Sequence, residues 1–155
     1  LKVPGMNSCG HADDSWDRAR VQKKIQKEEK EKSTFVLPLA TIIETGNHIA
    51  QANHSRKDRA DALADLMEKS ADHKTPWAAF SDQTVLWSPE KLKMLAESWP
   101  ALAAAKLSIG DATIEDVANY YAGMGYNVEI LTGDQGLKSY EPKVSVEIPR
   151  RRMKR

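Results

Sequence analysis

The sequence predicts an α/β fold, namely a three-layer α/β/α sandwich with a mostly parallel central sheet. Short apolar, β-prone stretches alternate along the chain with longer stretches whose apolar residues recur at helical spacing. This alternation is typical of a parallel sheet that is covered by helices. The chain has 155 residues, of which 41% are hydrophobic and 29% charged, and this composition suits one domain with a real core. We expect a single domain over residues 1–149 and a basic tail over residues 150–155.

Bulk composition excludes several classes of protein. No apolar run approaches the roughly 20 residues that a spanning helix needs, and the first ten residues lack the apolar core of a signal peptide. Cys9 is the only cysteine, so a disulfide cannot form within the chain. We expect a cytoplasmic protein with no membrane partner.

The C-terminal tail is the most basic part of the sequence. Its six residues, "RRRMKR", include five cations, whereas the whole chain has a net charge of only +1. Such a tail either contacts phosphate groups or remains solvated, and the sequence leaves both alternatives open.

The first half of the chain predicts three helices and one strand. Residues 15–32 carry a narrow apolar stripe among charged residues, which predicts a surface helix with Ser15 as its N-cap. Residues 34–37, "TFVL", are typical of a short buried strand. Pro38 then opens a helix through "LATIIETGNHIA", and residues 56–71 predict an amphipathic helix.

The second half begins with helices. Residues 89–99 predict one helix, and residues 100–106 predict a further short helix. The stretch "GDATIEDVANYYAGMGY" predicts a further helix with Gly125 at its C-terminal end.

Two strands are predicted in the last third of the chain. Residues 126–132, "YNVEILT", alternate between polar and apolar side chains, as a strand does. Residues 143–149, "KVSVEIP", alternate in the same way and predict an edge strand that Pro149 ends.

Three acidic residues fall where sites form in open parallel sheets, namely beyond the carboxyl ends of the strands. Glu44 lies in the helix after the first predicted strand, Asp111 opens a late helix, and Asp134 follows the strand "NVEILT". Clustered carboxylates are suitable ligands for Mg²⁺ or Mn²⁺. Each acid also has a simpler interpretation, because Asp111 can cap a helix, Asp134 can belong to a turn, and Glu44 can be solvated.

Taken together, "FVLPLATIIETGNHIAQ", "LSIGDATIEDVANYY" and "YNVEILTGDQGLKSYEP" resemble the PIN-domain family of metal-dependent ribonucleases, which includes many VapC-type toxins. The resemblance covers most of residues 34–142 and matches Glu44, Asp111 and Asp134 in order. It implies that these three residues are the catalytic and metal-binding residues of an endoribonuclease that uses Mg²⁺ or Mn²⁺. It also implies an RNA substrate and an antitoxin as partner.

Four further residues are candidates for substrate binding. Thr132 matches the position that accompanies the last aspartate of the family, and Asn47 and His48 share a predicted helix with Glu44. Lys138, close to Asp134 in sequence, is expected to approach the phosphate backbone.

One departure leaves alternatives open. The family begins with a central strand that ends in an aspartate, and residues 1–155 contain no such strand. We expect that the strand lies upstream of Leu1, or that the chain is a divergent relative without the full site. Without that strand the sheet would have unpaired edges, which a partner or a second copy would fill.

Two other functions remain as alternatives. The first is a catalytically inactive PIN-like module that binds protein or RNA, with the aromatic residues Trp77, Phe80 and Trp87 as a contact surface or as core. The second is phosphoryl transfer of the haloacid-dehalogenase kind, which also uses "TGD" but requires paired aspartates in an early strand.

Overall fold

The computed structural model describes residues 8–9 and 15–143, and this part of the chain is mostly helical. It is 65% helix and 3% strand, and its strands are β1 (Ser8–Cys9) and β2 (Trp16–Asp17), which pair antiparallel. The predicted three-layer sandwich with a parallel central sheet is therefore wrong. The reason is that the β-prone segments do not pair with one another along their length.

Six α-helices and one 3₁₀ helix make up the described fold. They are α1 (Arg18–Lys30), α2 (Leu39–Ala50), α3 (Arg56–Ala71), the 3₁₀ helix (Phe80–Trp87), α4 (Pro89–Ala104), α5 (Ile109–Gly123) and α6 (Gln135–Lys138). Helix α2 packs against α3 and α5, and α4 packs against α5. None of the helices in residues 15–143 is long and apolar enough to cross a bilayer.

The predicted helices are confirmed, with two corrections. The N-cap of α1 is Asp17 rather than Ser15, because the Asp17 carboxylate accepts a hydrogen bond from the Arg20 amide at 2.8 Å. The predicted break at Pro100 is wrong, since α4 continues through it. Proline deprives the Ala96 carbonyl of its helical donor, and Ala96 is exposed, so water can satisfy that group.

Helix α5 ends as the sequence predicts. Gly125 has a φ of +91°, a conformation that side-chain-bearing residues rarely adopt. The amide of Tyr126 donates to the carbonyl of Tyr121 at 3.2 Å, which satisfies one of the last carbonyls of the helix. The chain then turns into residues 126–132.

The predicted strands 34–37 and 126–132 are not strands. Residues 34–37 make only an isolated parallel bridge between Phe35 and Trp77, and residues 126–132 have no regular structure. The third predicted strand, residues 143–149, and the tail 150–155 lie outside the described residues, apart from Lys143.

The core is small and centred on α5. One cluster contains Ala78, Val117 and Tyr121, and a second contains Ala118, Ile130 and Leu137. Val128 packs against both clusters. The core therefore joins the middle of α5 to the segment that follows it.

Candidate functional site: an acidic cleft

A cleft of about 1880 Å³ is lined in part by two segments of the chain, which we name the first wall (residues 34–37) and the second wall (residues 126–132). Val36 of the first wall and Val128 of the second wall pack against the same cluster that contains Val117 and Tyr121 of α5. Helix α5 is therefore the floor of the cleft.

The charge of the cleft lining is strongly negative. The lining contains two lysines, Lys32 and Lys69, and six carboxylates. The carboxylates are those of Glu29, Glu44, Asp82, Asp111, Glu129 and Asp134. Such a surface attracts cations and repels bare phosphate groups. All three acids that the sequence singles out line this one cleft.

Glu44 reaches the cleft because α5 has a glycine at the contact. A Cβ atom on Gly110 would overlap Glu44 Oε1, and it would lie 3.2 Å from Glu44 Cδ and 3.5 Å from Ser108 Oγ. The Glu44 carboxylate therefore rests on the first turn of α5. A helix N-terminus carries a partial positive charge, which favours an anionic group there.

Asp111 lies in the same first turn, and its carboxylate takes part in capping α5. The Ser108 hydroxyl donates to Asp111 Oδ2 at 2.7 Å. In addition, the Asp111 amide donates to Ser108 Oγ at 3.0 Å, and the Ser108 amide donates to Asp111 Oδ2 at 3.4 Å. This reciprocal pair is a capping box. Ser108 is thus the N-cap, and Asp111 is the third residue of the helix rather than its cap.

Asp134 also caps a helix. Its Oδ1 accepts hydrogen bonds from the amides of Gly136 at 2.7 Å and Leu137 at 3.3 Å, which satisfies the start of α6. The Asp134 amide donates to Thr132 Oγ1 at 3.1 Å. Thr132 therefore holds the turn that presents Asp134, and both residues line the cleft.

The three remaining candidates for substrate binding differ in whether they line the cleft. His48 lines the cleft, whereas Asn47 is exposed on α2 outside the lining. The ammonium group of Lys138 donates to the Ile130 carbonyl at 3.0 Å and pairs with Glu141. Lys138 is thus engaged in holding the second wall.

An ion-pair chain along the second wall was not predicted from the sequence. Lys24 Nζ of α1 donates to Glu129 Oε2 at 2.7 Å, Glu129 lies 3.6 Å from Lys138 Nζ, and Lys138 pairs with Glu141. The Glu129 carboxylate raises the pKa of Lys24 through this hydrogen bond. Lys24 and Glu129 are 105 residues apart, so spacing along the chain carries no signal for the pair.

Two buried polar groups next to the cleft have no hydrogen-bond partner in the described structure. They are the Tyr121 hydroxyl and Oε1 of Gln83. Burial, reinforced by the negative charge of Asp82, raises the pKa of Tyr121 to about 12. Gln83 uses its other polar group, because Nε2 donates to the Leu37 carbonyl at 3.1 Å.

The donor chemistry of the acids suits Mg²⁺ or Mn²⁺, which prefer oxygen ligands. Within residues 15–143 no group of three or more His, Cys, Asp or Glu side chains is close enough to hold an ion together. Mg²⁺, however, usually keeps several waters and is bound by one or two carboxylates together with substrate phosphates. Glu44 contacts the first turn of α5, and Asp111 belongs to that turn, so these two carboxylates are the ones in the cleft that best fit a site of this kind.

No family model, curated protein or solved structure matches this chain. What the cleft can do is therefore argued from its own residues.

Proposed function

We propose that the chain is a Mg²⁺- or Mn²⁺-dependent nuclease that hydrolyses RNA phosphodiesters. The observation that supports this proposal is that Glu44, Asp111 and Asp134 line one cleft, in which Glu44 contacts the first turn of α5, the turn that contains Asp111. The sheet implied by the PIN resemblance is not formed by the described residues, so the proposal depends on the cleft and not on the fold.

The negative lining gives a physical reason for metal dependence. Six carboxylates against two lysines would repel an RNA backbone unless cations neutralise them. A bound divalent cation lowers the pKa of a water molecule and stabilises the leaving oxygen. Glu44 and Asp111 would hold this cation, and Asp134, just beyond the second wall, would orient water.

Substrate contacts would come from groups near the acids. His48 lines the cleft and can donate a hydrogen bond to a phosphate oxygen. The tail 150–155, with five cations, can neutralise phosphates outside the acidic cleft. The preference for RNA, the role as a toxin and an antitoxin as partner come from the resemblance alone.

The experiment is a cleavage assay on labelled single-stranded RNA with Mg²⁺, with Mn²⁺ or with a chelator. We expect metal-dependent cleavage that Glu44→Gln, Asp111→Asn and Asp134→Asn each slow by roughly 100-fold. Asp61→Asn is the control, because Asp61 is an exposed acid of α3 outside the cleft lining. Equal rates for the wild type and all three cleft variants would contradict the proposal.

A second candidate is a binding module that does not cleave. It is favoured by the capping bonds of Asp111 and Asp134, each of which already uses one carboxylate oxygen. Trp87 is 41% exposed and Val85 is 48% exposed, which leaves an apolar surface on the 3₁₀ helix for a partner. RNA or protein binding that is unaffected by chelator and by Asp134→Asn, without cleavage, would support this alternative.

A further inference from the structure

The main chain of the first wall has one bonded edge and one open edge. The Phe35 amide donates to the Pro76 carbonyl at 2.8 Å, and the Phe35 carbonyl accepts from the Ala78 amide at 2.8 Å. In an extended chain, successive residues direct their main-chain groups to opposite sides. The amide and carbonyl of Val36 therefore face away from Trp77, toward the cleft, and no residue of the described chain bonds them.

The second wall has the same asymmetry. The Ile130 amide donates to Glu141 Oε2 at 2.7 Å, and the Ile130 carbonyl accepts from Lys138 Nζ. Burial alternates along this wall, with Val128 and Ile130 turned inward, as in an extended chain. The main-chain groups of Glu129 and Leu131 thus point away from Glu141, and within residues 15–143 they have no hydrogen-bond partner.

The cleft lining also contains apolar side chains. Val117, Ala118 and Tyr121 of α5 belong to the lining, as do Ile25 of α1 and Leu66 of α3. A main chain placed between the walls would therefore contact apolar side chains. A strand buried on both faces carries a nearly continuous apolar run.

We propose that the cleft binds an extended apolar peptide segment with basic flanks, by adding it as a strand between the two walls. The open edges at Val36 and Leu131 would pair with its main chain, as in other cases of strand addition. The negative lining complements the basic flanks. A segment of about six residues, each about 3.3 Å long, falls between the lengths of the two walls, residues 34–37 and 126–132.

The chain's own residues 144–149 match this chemistry less well. Their sequence "VSVEIP" places Ser145 and Glu147 on one side of a strand, where the cleft would bury them. We therefore assign the cleft to an added segment of apolar sequence with basic flanks, and not to residues 144–149.

The test uses metal-free protein of residues 1–155 and a synthetic probe, a capped peptide of six Val, Ile and Leu residues flanked by lysines. The matched control is the same peptide with N-methyl groups on alternate amides, which keeps the side chains and removes donors. We expect micromolar binding of the probe by calorimetry and at least tenfold weaker binding of the control.

NMR amide exchange adds a residue-level readout. On binding, the amides of Val36 and Leu131 should exchange at least tenfold more slowly, because they gain acceptors. The amide of Phe35, which already donates to Pro76, should change less. This pattern, together with the peptide preference, would support strand addition.

Three outcomes would overturn the proposal. Equal binding of both peptides would show apolar contact without main-chain pairing. A concentration-dependent dimer that the probe dissociates would make a second copy the occupant. Probe affinity that rises more than tenfold when residues 144–155 are removed would make the chain's own terminus the occupant. Because metal is absent throughout, failure here leaves the nuclease proposal untouched.

Discussion

Glu44 on α2 and Gly110 on α5 share one contact, in which the glutamate carboxylate occupies the space where a Gly110 side chain would lie. The contact brings an acid from one helix to the capped first turn of another, beside Ser108 and Asp111. It also means that the position of Glu44 depends on a residue with no charge of its own.

Replacement of Gly110 by alanine should displace the Glu44 carboxylate. We expect Gly110→Ala to weaken Mg²⁺ or Mn²⁺ binding by about tenfold in calorimetry, because one ligand moves. The control is Gly123→Ala in the same helix, where a new Cβ has nothing within 4 Å. Gly123→Ala should leave metal binding unchanged and raise the free energy of unfolding by up to about 1 kcal/mol. Equal metal affinity in both variants would contradict the role of this contact.

Asp134 combines two roles that two substitutions can separate. Asparagine is a good N-cap, so Asp134→Asn should keep the start of α6 and change the free energy of unfolding by less than about 0.5 kcal/mol, whereas Asp134→Ala should lower it by about 1 kcal/mol. If the carboxylate serves the metal, both variants should lose RNA cleavage. Urea unfolding and the cleavage assay measure the two effects, and full activity of Asp134→Asn would reduce Asp134 to a capping residue.

The Ser108 capping box should contribute measurably to stability. Ser108→Ala removes both hydroxyl bonds to Asp111 and should lower the free energy of unfolding by about 1 kcal/mol. The control is Ser98→Ala in α4, where the hydroxyl donates only to the Leu95 carbonyl at 3.4 Å. Alanine is the better helix former, so this control should be neutral or slightly stabilising.

The unpaired hydroxyl of Tyr121 should make the protein less stable at high pH. The folded state raises the pKa of Tyr121 from 10.0 to about 12, so the folded protein keeps a proton that the unfolded chain releases. The free energy of unfolding should therefore be fully retained below pH 10 and fall as the pH rises toward 12. The measurement is urea unfolding at several pH values.

Tyr121→Phe tests this interpretation. In this variant, the fall in the free energy of unfolding that Tyr121 causes between about pH 10 and pH 12 should be absent. At neutral pH the variant should be more stable by about 1 kcal/mol, because a buried hydroxyl without a hydrogen-bond partner is removed. Tyr126→Phe is the control, since Tyr126 is 58% exposed. A decline of equal slope in wild type and Tyr121→Phe would assign the alkaline loss of stability to other groups.

Local patterns predicted the helices well because each pattern is contained within its own helix. The bounds of α3, residues 56–71, follow from the amphipathic spacing that buries Leu63. The capping box of α5 has a readable signal too, since "SIGD" places an acid three residues after a serine. This spacing indicates Ser108, rather than Asp111, as the N-cap of α5.

The strands were mispredicted because a strand needs a neighbour and the sequence does not show one. Residues 34–37 have β-prone side chains, yet only Phe35 finds a bridge, to Trp77. The cleft was predicted only in part. The three acids were identified, but the glycine that admits Glu44 and the ion pair of Lys24 with Glu129 are contacts between distant segments.

The ion pair of Lys24 has a consequence for the cohesion of the molecule. Helix α1 contains no buried residue, while its Ile25 and Glu29 cover part of the cleft. The attachment of helix α1 to the second wall therefore depends largely on the ion pair of Lys24 with Glu129. Salt screens such a pair. We expect high salt to weaken this attachment, and local detachment of helix α1, before global unfolding, would uncover the cleft from one side.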